Sequence, residues 1–387
     1  MRRIPLLVFA SLALFPLSVS ALEVRFHPGD AVYPYEVDPD RGLSTVVLQQ
    51  IVVLQRSTEP GPVTVESLEI QVLGAGQVRQ VLFVPAADLD RSAEKLAKLS
   101  AAGLLKAYDF QLQTSRSLGE GVRVATGRTL APGSGLIVMG RALLLSGATD
   151  QITVVAHGKD AQGQAVEARS SITVKPFQSA NRYVFPLNGA VFVGAAPTLH
   201  SHHRWAINQE FALDLLALGG DGRTHKGQGA RLDDYYAYGR EVVAVAPGTV
   251  VESASDATEA NDRLRQPGES PAAFLQRTIA AQNELLARSP KAPLGNYVVI
   301  CHEGNECSVY AHLKQGSVRV KTGDRVRQGQ VIAQLGQTGN TTEPHLHFQL
   351  MNGPDPMYAR GLPITFQNIE ADESDRQVQT GSLVVTK

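Results

Sequence analysis

Cysteine is nearly absent, with two residues in a chain of 387. That excludes a disulfide-dense mini-scaffold and a four-cysteine zinc site. An excess of either charge is also missing: 36 Lys+Arg stand against 37 Asp+Glu. The chain therefore has no global electrostatic footprint for nucleic acid. Beyond its first twenty or so residues it has no apolar run long enough to span a bilayer. What is present excludes disorder as a description of the whole, since hydrophobic residues reach 43% and charged residues only 19%. At roughly 100–200 residues per domain, the length implies two or three domains. Gly and Pro, 35 and 21 in number and spread along the chain, suit a turn-rich β protein.

Residues 1–21 read as a secretory signal peptide. Arg2 and Arg3 form the charged start, Ile4 to Leu17 the apolar centre, and Val19-Ser20-Ala21 the small residues at a cleavage site. The expectation is a periplasmic or secreted protein with no membrane span after cleavage. Cys301 and Cys307 flank the polar turn Glu303-Gly304-Asn305-Glu306 between two apolar runs. A hairpin there would place them opposite each other, so a disulfide is expected in an oxidising compartment. Zinc binding by the two thiols is the alternative.

From residue 22 to 176 short alternating runs recur: Val46–Leu54, Val63–Val72, Gln77–Val84, Gly135–Gly140, Gln151–His157 and Ala168–Val174. Turn signals separate them, which predicts an antiparallel β-sandwich. One helix, about 86–102, interrupts it, with Leu89, Ala93, Leu96 and Leu99 as its apolar stripe and Gly103 at its end. No catalytic constellation occurs in this half, which reads as an accessory domain for binding, spacing or shielding.

The second half, 183–368, holds eight of the ten histidines. Within it a long insertion, 256–293, carries a second helix. Ser270 caps that helix, Pro271 opens it, and Phe274, Leu275, Ile279, Leu285 and Leu286 supply its apolar side. Such an insertion serves either as a lid or binding loop, or as a packed decoration away from any site. Residues 369–387 read as a flexible tail.

Chemistry concentrates in four places. In Pro344-His345-Leu346-His347-Phe348, residues two apart on a strand share a side, so His345 and His347 project together. Asp214 lies in the apolar run FALDLLAL and needs a partner or a metal there. Glu210, Ala212 and Asp214 alternate along a strand and share one face of it. His312 stands in Tyr310-Ala311-His312-Leu313, facing either the core or a cleft.

The run Asn296-Tyr-Val-Val-Ile leads into Tyr310-Ala-His-Leu and the hairpin V-x-x-G-D-x-V-x-x-G-Q-x-I-A from Val320. Gly336-Gln-Thr-Gly339 and the His345/His347 pair follow, while Val243-Ala-Val-Ala-Pro-Gly-Thr-Val precedes the run. Together these resemble the catalytic domain of the LytM/lysostaphin-type peptidoglycan metalloendopeptidases. The resemblance covers about Tyr183–Phe366 and implies an antiparallel β domain that binds Zn2+ and cuts the stem or cross-link peptides of the cell wall. It makes Asp214 and His347 metal ligands, with His312 and His345 orienting the attacking water and stabilising the transition state. It also exposes a departure: the first ligand of an H-x-x-x-D motif is replaced by Glu210. Glu210 itself, or one of His200, His202 and His203 looping back, would then complete the set. Without a metal the domain would be a non-catalytic module that binds wall peptides or activates a partner wall hydrolase. The hairpin alone also resembles biotinyl and lipoyl carriers, but its tips, Thr322-Gly323-Asp324 and Gln328-Gly329, lack the lysine those need.

Overall fold

A computed structural model describes residues 21–56, 58, 61–371 and 377–387. The expected signal peptide lies, apart from Ala21, outside the described residues.

The N-terminal half is built on long strands: β1 (Leu22–His27), β2 (Leu43–Gln55), β3 (Val63–Gly74), β4 (Gln77–Pro85), β5 (Ser134–Ser146), β6 (Gln151–Lys159) and β7 (Ala165–Val174). One sheet runs β1-β2-β5 and the other β7-β6-β3-β4, each by antiparallel pairing. Both sheets place residues in one apolar cluster, including Val46, Leu48, Leu136 and Val138 from the first and Leu68, Ile70, Ile152 and Val154 from the second. Helix α1 (Ala86–Ala101) buries Leu89, Ala93 and Leu96, as its spacing requires, and Gly103 beyond its end adopts φ 71°. β2 is buried on both faces. Its Val46 and Leu48 point into the shared core, so by strand alternation Thr45, Val47 and Gln49 point the other way, toward the C-terminal half.

The C-terminal half is one extended antiparallel sheet. Its strands are β8 (Ala190–Ala195), β9 (Leu213–Leu216), β10 (Gly248–Ala254), β11 (Asn296–Cys301), β12 (Cys307–Leu313), β13 (Leu346–Met351), β14 (Ile369–Ala371) and β15 (Leu383–Thr386). They pair in the order β10-β11-β12-β13-β9-β8-β15-β14. The short strands Glu241–Val243 and Val331–Gln334 form a separate pair, while Arg325–Val326 pairs with β10, so the two arms of the expected Gly-rich hairpin join different partners. Cys301 and Cys307 face each other across β11 and β12 and form a disulfide.

Two expectations change here. The last residues do not form a loose tail: β14 and β15 extend the sheet, and Tyr35 Oη donates to the Val378 carbonyl 2.8 Å away. Within the insertion, α2 (Pro271–Arg288) begins with the expected cap, Ala273 N donating to Ser270 Oγ. Its apolar stripe, however, is not a buried face. Leu285 is buried, but Leu275 is 57% and Ile279 44% exposed, because only the C-terminal end of the helix packs against the domain.

Candidate metal centre

β9 and β13 are the elements that make the site, because their register sets Asp214 directly opposite His347. Leu346 and Phe348 alternate into the core with zero exposure, which turns His345 and His347 to the other face. β12 lies beside β13 with Ala311 opposite His347 as the last pair, and His312 follows just past it. His312 adopts φ 63°, a left-handed conformation uncommon for a non-glycine residue. It is held there by Gly336 N donating to its carbonyl and by its own Nδ1 donating to the Thr338 carbonyl, 2.8 Å away. The loop making that contact depends on Gly339: at φ 78°, a Cβ there would lie 2.4 Å from Gly295 N and the Pro293 carbonyl.

Asp214 gathers the histidines. Its Oδ1 is 3.0 Å from His347 Nδ1 and 3.7 Å from His345 Nε2, and its Oδ2 is 2.9 Å from His203 Nε2. Burial opposes ionisation of this carboxyl, but His203 and His345 outweigh it and hold Asp214 well below the usual carboxylate range. Burial, reinforced by His345 and His347, pushes His312 well below the ordinary imidazole value. His312 is therefore neutral at pH 7, and since Nδ1 carries the proton, Nε2 presents a lone pair.

His203, Asp214 and His347 each offer a donor atom, and all three atoms lie within 4.8 Å of one another. The donor chemistry fits zinc, which takes imidazole nitrogen and carboxylate oxygen. The far nitrogen of each imidazole is also fixed. His203 Nδ1 lies 2.9 Å from Gln209 Oε1 and His347 Nε2 2.9 Å from Gln349 Oε1. An amide oxygen can only accept, so each far nitrogen carries a proton; the near nitrogen, hydrogen-bonded to Asp214, would bind a cation on giving up its own proton. Removing that support by Gln209→Ala or Gln349→Ala is expected to weaken zinc binding by about 10–100-fold. Competition with a metal-binding dye will check it.

The structure sets His203, and not Glu210, beside Asp214. Glu210 does not share a strand face with Asp214, because β9 begins only at Leu213 and Glu210 lies in the preceding turn, where Ala212 N donates to the Gln209 carbonyl. Its Oε1 pairs with Arg204 Nη1 at 3.1 Å, and both side chains are buried. His202 does not join the donor set either: it stacks on His203, ring centroids 3.9 Å apart, with its pKa lowered to about 4 by burial and by the His203 charge. His203 takes the place beside Asp214 instead. It lies on the short 3-10 turn His202–Trp205, whose start is capped by Ser201 Oγ. Nothing in sequence spacing singles out His203 from His200 and His202, and Gln209 had no signal at all. Gln349 was readable, lying two residues beyond His347 on the same strand face.

The centre lies in a groove open on both sides. One hollow is lined by Thr198, His200, Thr342 and Glu343, the other by Thr278, Gln282, Leu294 and Asn340. His202, Asp214, Thr342 and His345 line both. Thr278 and Gln282 come from α2, so the insertion forms one wall of the groove and is not a remote decoration.

Residues 278–359 match the sequence model of Peptidase family M23. This stretch carries His312, His345 and His347, and the LytM/lysostaphin-type peptidoglycan endopeptidases are its relatives. The chain is 52% identical over 60 residues to peptidoglycan DD-endopeptidase ShyC of Vibrio cholerae, covering 15% of this chain and 13% of that protein. It is 34% identical over 76 residues to cell division protein DipM of Caulobacter vibrioides (19% and 12%) and 45% over 58 residues to glycyl-glycine endopeptidase ALE-1 of Staphylococcus capitis (15% and 16%). It thus spans a small fraction of the length of these relatives. Among solved structures, the catalytic domain of lysostaphin from Staphylococcus simulans aligns with a TM-score of 0.23 at 20% identity, over 47% of this chain and 88% of that one.

Proposed function

We propose that this chain is an exported zinc-dependent endopeptidase acting on peptidoglycan stem or cross-link peptides, working in the periplasm or outside the cell. The observation that carries the reading is the convergence of His203, Asp214 and His347, each imidazole fixed by a glutamine, with His312 and His345 beside them. The first three residues are the metal ligands. Zinc held there supplies Lewis acidity and lowers the pKa of water toward about 7.

The remaining steps fall to the chain's own groups. His345 donates from Nδ1 to the Glu343 carbonyl, 2.8 Å away, so its Nε2 faces the centre, as does that of His312. One such nitrogen takes the proton of the attacking water and later delivers it to the leaving amine. While it holds that proton, the same nitrogen can donate a hydrogen bond to the oxyanion that develops on the scissile carbonyl, and the second, neutral imidazole accepts from the attacking water and orients it. The two-sided groove holds an extended peptide across them. No helix among the described residues is long and apolar enough to cross a membrane.

The protein should contain about one zinc ion per chain and solubilise cross-linked peptide from purified sacculi, with activity lost to a chelator and restored by zinc. Persistent absence of zinc after reconstitution would favour the second reading: a non-catalytic module that binds wall peptides or activates a partner hydrolase. The glutamate at position 210, where the resembling enzymes carry a ligand, and the similarity to a cell division protein support that alternative.

A further inference from the structure

We propose that the N-terminal β-sheet is a working part of the metal centre, holding His203 in place through the positioning residue Arg204. This rests on the metal-ligand reading above and adds to it a role for the half of the chain that has no chemistry of its own.

His203 is carried by a single 3-10 turn of four residues. Such a turn has few internal hydrogen bonds and little rigidity by itself. The residue next to the ligand is anchored in the other half of the chain. Gln49 Nε2 on β2 donates to the Arg204 carbonyl at 2.9 Å, and Arg204 Nη2 donates to the Thr45 carbonyl at 3.0 Å. The guanidinium lies 4.8 Å from the Phe211 ring centroid and 5.9 Å from that of Tyr35. Trp205 closes the other side by packing its ring over Gly140 of β5, where a Cβ would come within 3.2 Å of the indole. The turn is therefore gripped from both central strands of the first sheet.

A fully buried guanidinium is a costly way to make an interdomain contact, and an aliphatic side chain would pack there more cheaply. What a charged fork adds is direction: it has a fixed geometry and fixed acceptors. Arg204 has zero exposure, and its charge is met by Glu210, 1% exposed. Two departures from the H-x-x-x-D arrangement thereby become one exchange. The ligand moves seven residues upstream to His203, and the vacated position holds the carboxylate that fixes the turn carrying it. Both anchors come from one stretch of β2, the Thr45 backbone carbonyl and the Gln49 side-chain amide.

The test uses the full mature chain and two variants. Gln49→Ala removes one anchor without leaving a buried charge. Arg204→Met/Glu210→Met removes both charges together, so neither is orphaned. Zinc dissociation constants, the visible spectrum of the cobalt-loaded protein and the melting temperature of the metal-free protein are measured for each. Zinc binding weakened by about tenfold or more in both variants, with shifted cobalt bands and a retained cooperative melt, is the expected result. Wild-type affinity and an unchanged cobalt spectrum in both would overturn the proposal while leaving the metal centre intact. A wild-type chain that takes up no metal would instead overturn the endopeptidase reading on which it rests.

Discussion

Replacing His203 with alanine will empty the centre. The His203→Ala protein is expected to fall from about one zinc per chain to a small fraction of that, and to lose peptide cleavage with it, because two ligands hold the ion far more weakly than three. Asp214→Ala and His347→Ala should do the same. His202→Ala is the informative control. It removes an imidazole of the same turn that stacks on His203 but makes no contact with Asp214 short enough to mark it as a ligand. It should keep its zinc. Metal analysis of the variants decides the matter, and a His202→Ala protein without zinc beside a His203→Ala protein with it would reverse the assignment.

The second large effect separates binding from turnover. His312→Ala and His345→Ala should retain zinc yet lower kcat by about 10²–10⁴-fold, the range for removing a positioned acid or base. KM should change little, since the groove walls remain. Both Nδ1 atoms are committed to backbone carbonyls. The loss should therefore not be recovered by asparagine or glutamine, which cannot exchange a proton. Loss of zinc from His345→Ala would place that residue among the ligands instead.

Much of this centre was legible before any coordinates. Asp214 and His347 stand in strands whose apolar alternation turns them to one side, His345 directly precedes β13, and β9, β12 and β13 pair to bring these three and His312 together. His203 was only one of several histidines in its segment. A turn obeys no fixed side-chain period, so its position beside Asp214 depends on contacts to β2 and β5, more than 60 residues away in sequence. Glu210 was placed on a strand that starts three residues later. The stripe on α2 was real as a pattern and misleading as a guide to burial: Leu275 and Ile279 look outward because the helix serves as a wall and not as a core element. The end of the chain was misjudged because its polar stretch hides Leu383–Thr386, a strand that needs β8 as a partner before it has any reason to form.

The way the sheet closes bears on how such proteins evolve. The stretch that matches the family holds three of the five central residues, while Asp214 and His203 lie upstream of it and β15 completes the sheet from downstream. Recombination that moved only the recognisable stretch into another gene would carry the signature without its chemistry. An intact centre would need the whole chain, because Thr45 and Gln49 of the first half contact the turn that carries His203.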